Sequence, residues 1–145
     1  MKHVYSDGGR AAAGFKGKTG DCGVRAVAIA TGRPYAEVYD AINEASTREH
    51  PGARRSKRAG RSSAGTGVWM ATMKRYMEAL GWRWHPTMAI GSGCKVHLRA
   101  DELPPGRIIV RLSRHYAAVI DGELHDTYDD SRDGTRCVYG YWTAA

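Results

Sequence analysis

Gly20-Asp21-Cys22-Gly23-Val24-Arg25-Ala26-Val27-Ala28-Ile29-Ala30-Thr31-Gly32 is the stretch whose reading decides the fold. From Cys22 to Thr31 it is apolar nearly all round, with Arg25 the exception. A helix of that pattern sits in the centre of a domain, packed on more than one side. Gly32 can end it in the left-handed conformation, and Pro34 fits the first turn of a following helix. The reading places a buried helix over 22–31 with a thiol on its first residue. The first backbone N–H groups of a helix lack internal partners and carry partial positive charge. A thiolate there is stabilised, and the same N–H groups can hold the oxyanion formed when sulfur attacks a carbonyl. Gly23 is expected to leave room for a substrate beside the sulfur. A free cysteine is also a common core residue, so position alone leaves a buried structural thiol open.

Outward from this helix the organisation is simple. A second helix over about 34–45 sets Tyr35, Val38, Tyr39, Ile42 and Ala45 on one face. A third carries Trp69, Met73, Tyr76, Met77 and Leu80, with Thr66 as its expected N-cap and Gly81 as its stop. Residues 46–66 lack periodicity and read as a mobile loop, and residues 1–20 as an irregular, glycine-rich arm. After Gly81 the period becomes extended, with candidate strands at about 82–86, 107–113, 115–120, 123–128 and 137–142. Helices first and adjacent strands later give an α+β class with an antiparallel sheet. At 145 residues the chain suits one domain, residues 1–145, which can bury roughly 68–70% of its unfolded surface without a disulfide or metal.

The net charge of +7 is local. Residues 48–61 hold six cations against one acid, a surplus that Arg54, Arg55, Lys57 and Arg58 dominate. Such a segment can bind phosphates without reading sequence, steer an acidic substrate, or simply be solvated. Three cysteines, widely spaced and odd in number, read as reduced thiols. With no apolar span and no signal-peptide pattern at the N-terminus, the expectation is a cytoplasmic protein without a membrane partner. Residues 12–19 fit a relaxed phosphate-loop pattern but follow a poor strand, and Asp129–Gly134 reads as a turn rather than a calcium loop. Cys94 and His97 are spaced like half a zinc site with no second half, so no metal or cofactor is expected.

A base for the thiol must come from downstream. His115 opens His115-Tyr116-Ala117-Ala118-Val119-Ile120, followed by Asp121-Gly122 and Glu123-Leu124-His125-Asp126-Thr127-Tyr128. Asp-Gly between extended runs signals a two-residue hairpin turn. In that register Ile120 faces Glu123, Ala117 faces Asp126, and His115 faces Tyr128. His115 and Asp126 then share a face as diagonal neighbours, whereas His125 points away. A longer turn would change the assignment.

Gly-Asp-Cys-Gly opening an apolar helix, then His-Tyr-Ala-Ala-Val-Ile-Asp-Gly and a returning strand with Asp, resembles the papain-like cysteine peptidase fold, in the style of its compact bacterial and phage members. The likeness covers roughly residues 19–45 and 105–142. It implies nucleophile Cys22, base His115 and orienting residue Asp126, acting on an amide bond of a protein or peptide through a thioester, by hydrolysis or by acyl transfer. The chain departs from the family in having no glutamine before the cysteine, or anywhere. The oxyanion would rest on the Cys22 N–H, with Lys16, Lys18, Thr19 or another residue of the arm. The other reading is a papain-like scaffold without turnover that contacts nucleic acid or an acidic protein through residues 48–61.

Overall fold

The computed structural model describes residues 1–17, 20–50, 61–89 and 91–145. Three helices precede most of the strands: α1 (Cys22–Thr31), α2 (Tyr35–Ser46) and α3 (Met70–Ala79). The strands are β1 (His3–Tyr5), β2 (Trp82–Pro86), β3 (Val96–His97), β4 (Arg107–Leu112), β5 (His115–Ile120), β6 (Glu123–Asp126), β7 (Cys137–Val138) and β8 (Gly140–Ala144). Six of them form one sheet in the order β1-β6-β5-β4-β8-β2, and β3 pairs with β7 in a separate ribbon. The fold is α+β, as its sequence implies.

Helix α1 has the expected bounds, and Gly32 closes it at φ 75° with its N–H on the Ala28 carbonyl. Seven of its ten residues are buried, Arg25 among them. Its apolar circumference packs with Val38 and Ile42 of α2, Met73 and Met77 of α3, and Ile109, Tyr116, Ala118 and Trp142 of the sheet. The opposite sheet face carries Ile108, Val110, Leu112, Ala117, Val119 and Leu124, covered by Leu98, Leu103 and Val138. Strand β4 is therefore buried on both sides, which explains the unbroken run Ile108-Ile109-Val110 in place of alternation.

Several expectations need correction. The N-terminal arm is not wholly irregular: β1 runs parallel to β6, with Tyr5 opposite Asp126, so the sheet is not purely antiparallel. Three residues carry no readable period, and their pairing is set by a partner far away in sequence. Helix α3 begins at Met70, with Trp69 at its N-cap. Thr66 instead sits in a tight turn bridged between Ser63 and Gly67, and its N–H donates to the Ser63 hydroxyl. The described flanks of the expected mobile loop are tied down: Glu49 is buried and accepts from the Ser62 N–H at 2.6 Å and from the Ser62 and Thr72 hydroxyls. The last predicted strand divides at Tyr139 into β7 and β8.

Trp142 of β8 is fully buried between Trp84 and Tyr116, with ring centroids 4.4 and 5.9 Å away. Gly140 makes this packing possible, since a β-carbon there would lie 2.3 Å from the Trp84 ring and 2.9 Å from the His85 carbonyl oxygen. Gly140→Ala is expected to destabilise the fold by about 1–3 kcal/mol, the usual cost of overpacking. Urea unfolding at neutral pH checks this, and an unchanged midpoint would mean the indole moves aside freely.

Candidate active site

The site forms where the tip of α1 meets the start of β5. Asp121 and Gly122 both take positive φ, 48° and 77°, as a tight hairpin turn requires. The resulting register pairs Ile120 with Glu123, Val119 with Leu124 and Ala118 with His125. That register carries Asp126 to His115: the imidazole Nε2 and the Asp126 Oδ2 are 2.7 Å apart, with both residues buried. Tyr128 follows, half-exposed, its ring centroid 5.7 Å from that of His115. Asp126 is fixed in turn. The Thr127 N–H donates to its Oδ1 at 2.7 Å, and its carbonyl oxygen meets the His3 imidazole and the Ser6 N–H of the arm, each at 3.0 Å.

Cys22, the first residue of α1, lies against His115 and Tyr116. Burial pushes its thiol pKa up, but hydrogen bonding and charge from His115, the Tyr116 backbone N–H and the Arg25 guanidinium outweigh this and hold it below the ordinary value. Burial pulls the His115 imidazole down, yet Asp126, Asp130 and the Cys22 sulfur together raise it to about 12. Because Nε2 is taken by carboxylate, Nδ1 is the ring nitrogen left to serve the sulfur. Burial alone would raise Asp126, but its contact with His115 keeps it well below the usual carboxylate range. These shifts run toward a thiolate beside an imidazolium, with a carboxylate at Asp126 behind it.

The helix tip is prepared for an anion. Asp21 holds the N-cap position without a side-chain cap bond. Its carboxylate turns inward to the Arg25 guanidinium and the Tyr35 hydroxyl, with Arg10 Nε 3.3 Å away. The first helix N–H groups are therefore not spent on an acidic cap. Gly23 has a packing role and does not hold space for a substrate. A β-carbon there would lie 2.8 Å from Val68 Cγ1 and 3.6 Å from the Tyr116 ring.

Cys22, His115 and Asp126 thus come together. Arg54, Arg55, Lys57 and Arg58 lie outside the described residues, as do Lys18 and Thr19 of the proposed oxyanion region, while Lys16 is exposed. The expectation of three reduced thiols is overturned. Cys94 and Cys137 form a disulfide, with Cα atoms 5.8 Å apart, and leave Cys22 as the free thiol. Contact across 43 residues is invisible to spacing arithmetic, and with it the half-zinc reading of Cys94 lapses. One support for a cytoplasmic location goes too, since disulfides persist mainly in oxidising compartments. Among the described residues, no helix is long and apolar enough to cross a membrane.

Two residues were missed as parts of the site. Arg25 bridges Asp21 to Asp126, whose Oδ1 is 3.6 Å from its guanidinium. The i,i+4 spacing from Asp21 and its isolation on an apolar helix were the available signals. Asp130, read within a turn, folds back until its Oδ2 lies 3.4 Å from His115 Nε2. Together His115, Asp126 and Asp130 place ligand-type atoms within 4.8 Å of one another, the arrangement a divalent cation could use. Arg25 and Arg136 already stand against these carboxylates, 3.6 and 3.9 Å away, which reduces what a further cation would gain. A shallow, open pocket of about 380 Å³, bordered by Lys74, Glu78, Trp82, Arg83 and Trp84, lies by α3 and β2, the sheet edge opposite the β1–β6 side. In comparisons with family models, curated proteins and solved structures, the chain finds no match.

Proposed function

We propose that this chain is a thiol hydrolase of papain-like type, cleaving an amide bond in a protein or peptide through a Cys22 thioester. The observation that carries the reading is the alignment of a helix-tip thiol, a buried imidazole and a buried carboxylate, each shifting the next in the direction catalysis needs. His115 holds the proton removed from Cys22, and the thiolate attacks the carbonyl carbon. As the tetrahedral intermediate collapses, the C–N bond breaks and His115 passes its proton to the leaving amine. Water, deprotonated by the now neutral His115, attacks the thioester, and the sulfur leaves as thiolate while His115 is again protonated. An amine in place of water would give acyl transfer by the same steps. Asp126 fixes the ring and stabilises the imidazolium without changing its own protonation. The oxyanion falls to backbone N–H groups at the start of α1. A missing side-chain donor costs about 10²–10³ in rate, so a modest enzyme is expected.

The test is an activated ester, p-nitrophenyl acetate, with the intact chain. An acetyl adduct confined to Cys22, formed in a burst and then released, is the expected result, and Cys22→Ser should abolish the burst. Acetylation scattered over lysines with Cys22 unmodified would overturn the reading.

A further inference from the structure

Asp130 has no part in the three-residue scheme, yet it is among the least exposed charged side chains of the protein, at 1%. It lies four residues beyond Asp126, in the irregular segment that follows β6, and it turns inward rather than to water. Neither of its carboxylate oxygens makes a hydrogen bond. Facing it are His115 Nε2 at 3.4 Å, the Arg136 guanidinium at 3.9 Å, the Asp126 carboxyl and the Tyr128 hydroxyl; burial and Asp126 push its pKa up, while His115 pulls it down. Arg136 is anchored by donating at 2.9 Å to the carbonyl of Ser113, two residues before His115. The same guanidinium therefore steadies both the acid and the entry to the histidine strand.

Burying a carboxylate without hydrogen bonds is expensive, and a turn has cheaper ways to close. The next residue illustrates one, since the Ser131 N–H and hydroxyl both bond the Asp129 carboxylate at 2.9 and 2.6 Å. The gain from a buried anion at 130 must come from the cations it faces, and the nearer of these is the ring nitrogen already bound by Asp126, with the Arg136 guanidinium behind it. Two carboxylates on one nitrogen repel each other, and a positive charge on the ring offsets that repulsion. Their joint effect is to favour imidazolium, and through it the thiolate, over the neutral pair.

We propose that Asp130 is a second acidic positioning residue for His115, which widens the pH range over which Cys22 and His115 stand as thiolate and imidazolium. The inference rests on the thiol-hydrolase reading and adds a residue to it. In the reaction Asp130 forms and breaks no bond. Its charge strengthens the resting ion pair and resists proton loss to the leaving amine, so its removal narrows the active pH range from both sides.

The experiment is the pH dependence of Cys22 alkylation by iodoacetamide, measured on the intact chain with a metal chelator present. In the wild type the rate should rise at low pH, hold a plateau, and change again at high pH where His115 loses its proton. Asp130→Asn, which removes the charge and keeps the shape, should bring the two limits toward each other, the upper one falling by about one to two pH units. If that variant does not fold, Asp130→Leu removes the same charge with a similar volume and carries the same expectation. A plateau with unmoved limits in a folded variant overturns the role of Asp130 while leaving the Cys22–His115 pair intact. A wild-type thiol that titrates like free cysteine defeats the reading of the whole site, and this inference with it.

Discussion

Replacing His115 with alanine should slow alkylation of Cys22 at pH 6 by about tenfold and lower amide turnover by about 10²–10⁴. The two numbers differ for a physical reason. An ordinary thiol is well under 1% ionised at pH 6, whereas a thiol at a helix tip beside imidazolium is commonly ionised by then, a gain of about 10² in reactive form. A more acidic thiolate is a poorer nucleophile, and this takes back about tenfold of the gain. In the proposed mechanism turnover loses more, because His115 also supplies the proton that lets the amine depart. The measurement is clean on the oxidised protein, since the Cys94–Cys137 disulfide leaves a single thiol to count. Equal rates at pH 6 for the two proteins would show that the sulfur does not depend on the ring, and the mechanism would fall.

The second large effect is expected at Arg25. Its guanidinium is buried between Asp21 and Asp126, so Arg25→Ala takes the nearest cation from Asp21, which keeps only Arg10, and one of two cations from Asp126, which keeps His115, all in a dry environment. Breaking a buried pair in this way costs about 3–5 kcal/mol. For a chain of this size that is a fall in melting temperature of about 10 °C or more. Burial lowers the Arg25 pKa, but both acids act in the opposite direction and the net shift is upward, so the arginine stays charged across the working pH range. Arg25→Ala combined with Asp21→Asn should lose less than the single variant, because one of the stranded charges goes with its partner. Calorimetry on the two variants distinguishes this from simple loss of packing, for which the double variant would be no better than the single one.

How far the sequence disclosed this arrangement depended on the range of each signal. Helix α1 was legible because a nearly all-apolar run of ten residues, broken by Arg25, and the glycine after it are local facts. The hairpin was legible because Asp121-Gly122 fixes a register, and the register brought Asp126 to His115. What escaped was set by distant partners. Strand β1 has three residues and is defined by β6, more than a hundred positions away. Cys94 and Cys137 meet where the β3–β7 ribbon pairs, which no spacing announces. Thr66 had the residue type of a cap, but it lies in the Ser63–Gly67 turn, where its hydroxyl meets that of Ser63. Asp130 sits in an irregular stretch where periodicity has ended, so nothing in the order of residues said that it would turn inward.

The separation between Cys22 and His115 has a consequence for synthesis. A ribosome releases the sulfur-bearing helix while the strands that acidify it are still untranslated, and the His3–Tyr5 segment waits even longer for its place beside β6. Until the last third of the chain has emerged and docked, the sulfur is chemically unremarkable, and the nascent polypeptide carries its own reactive group in dormant form. In this arrangement, completion of the sheet is what brings the imidazole to the sulfur.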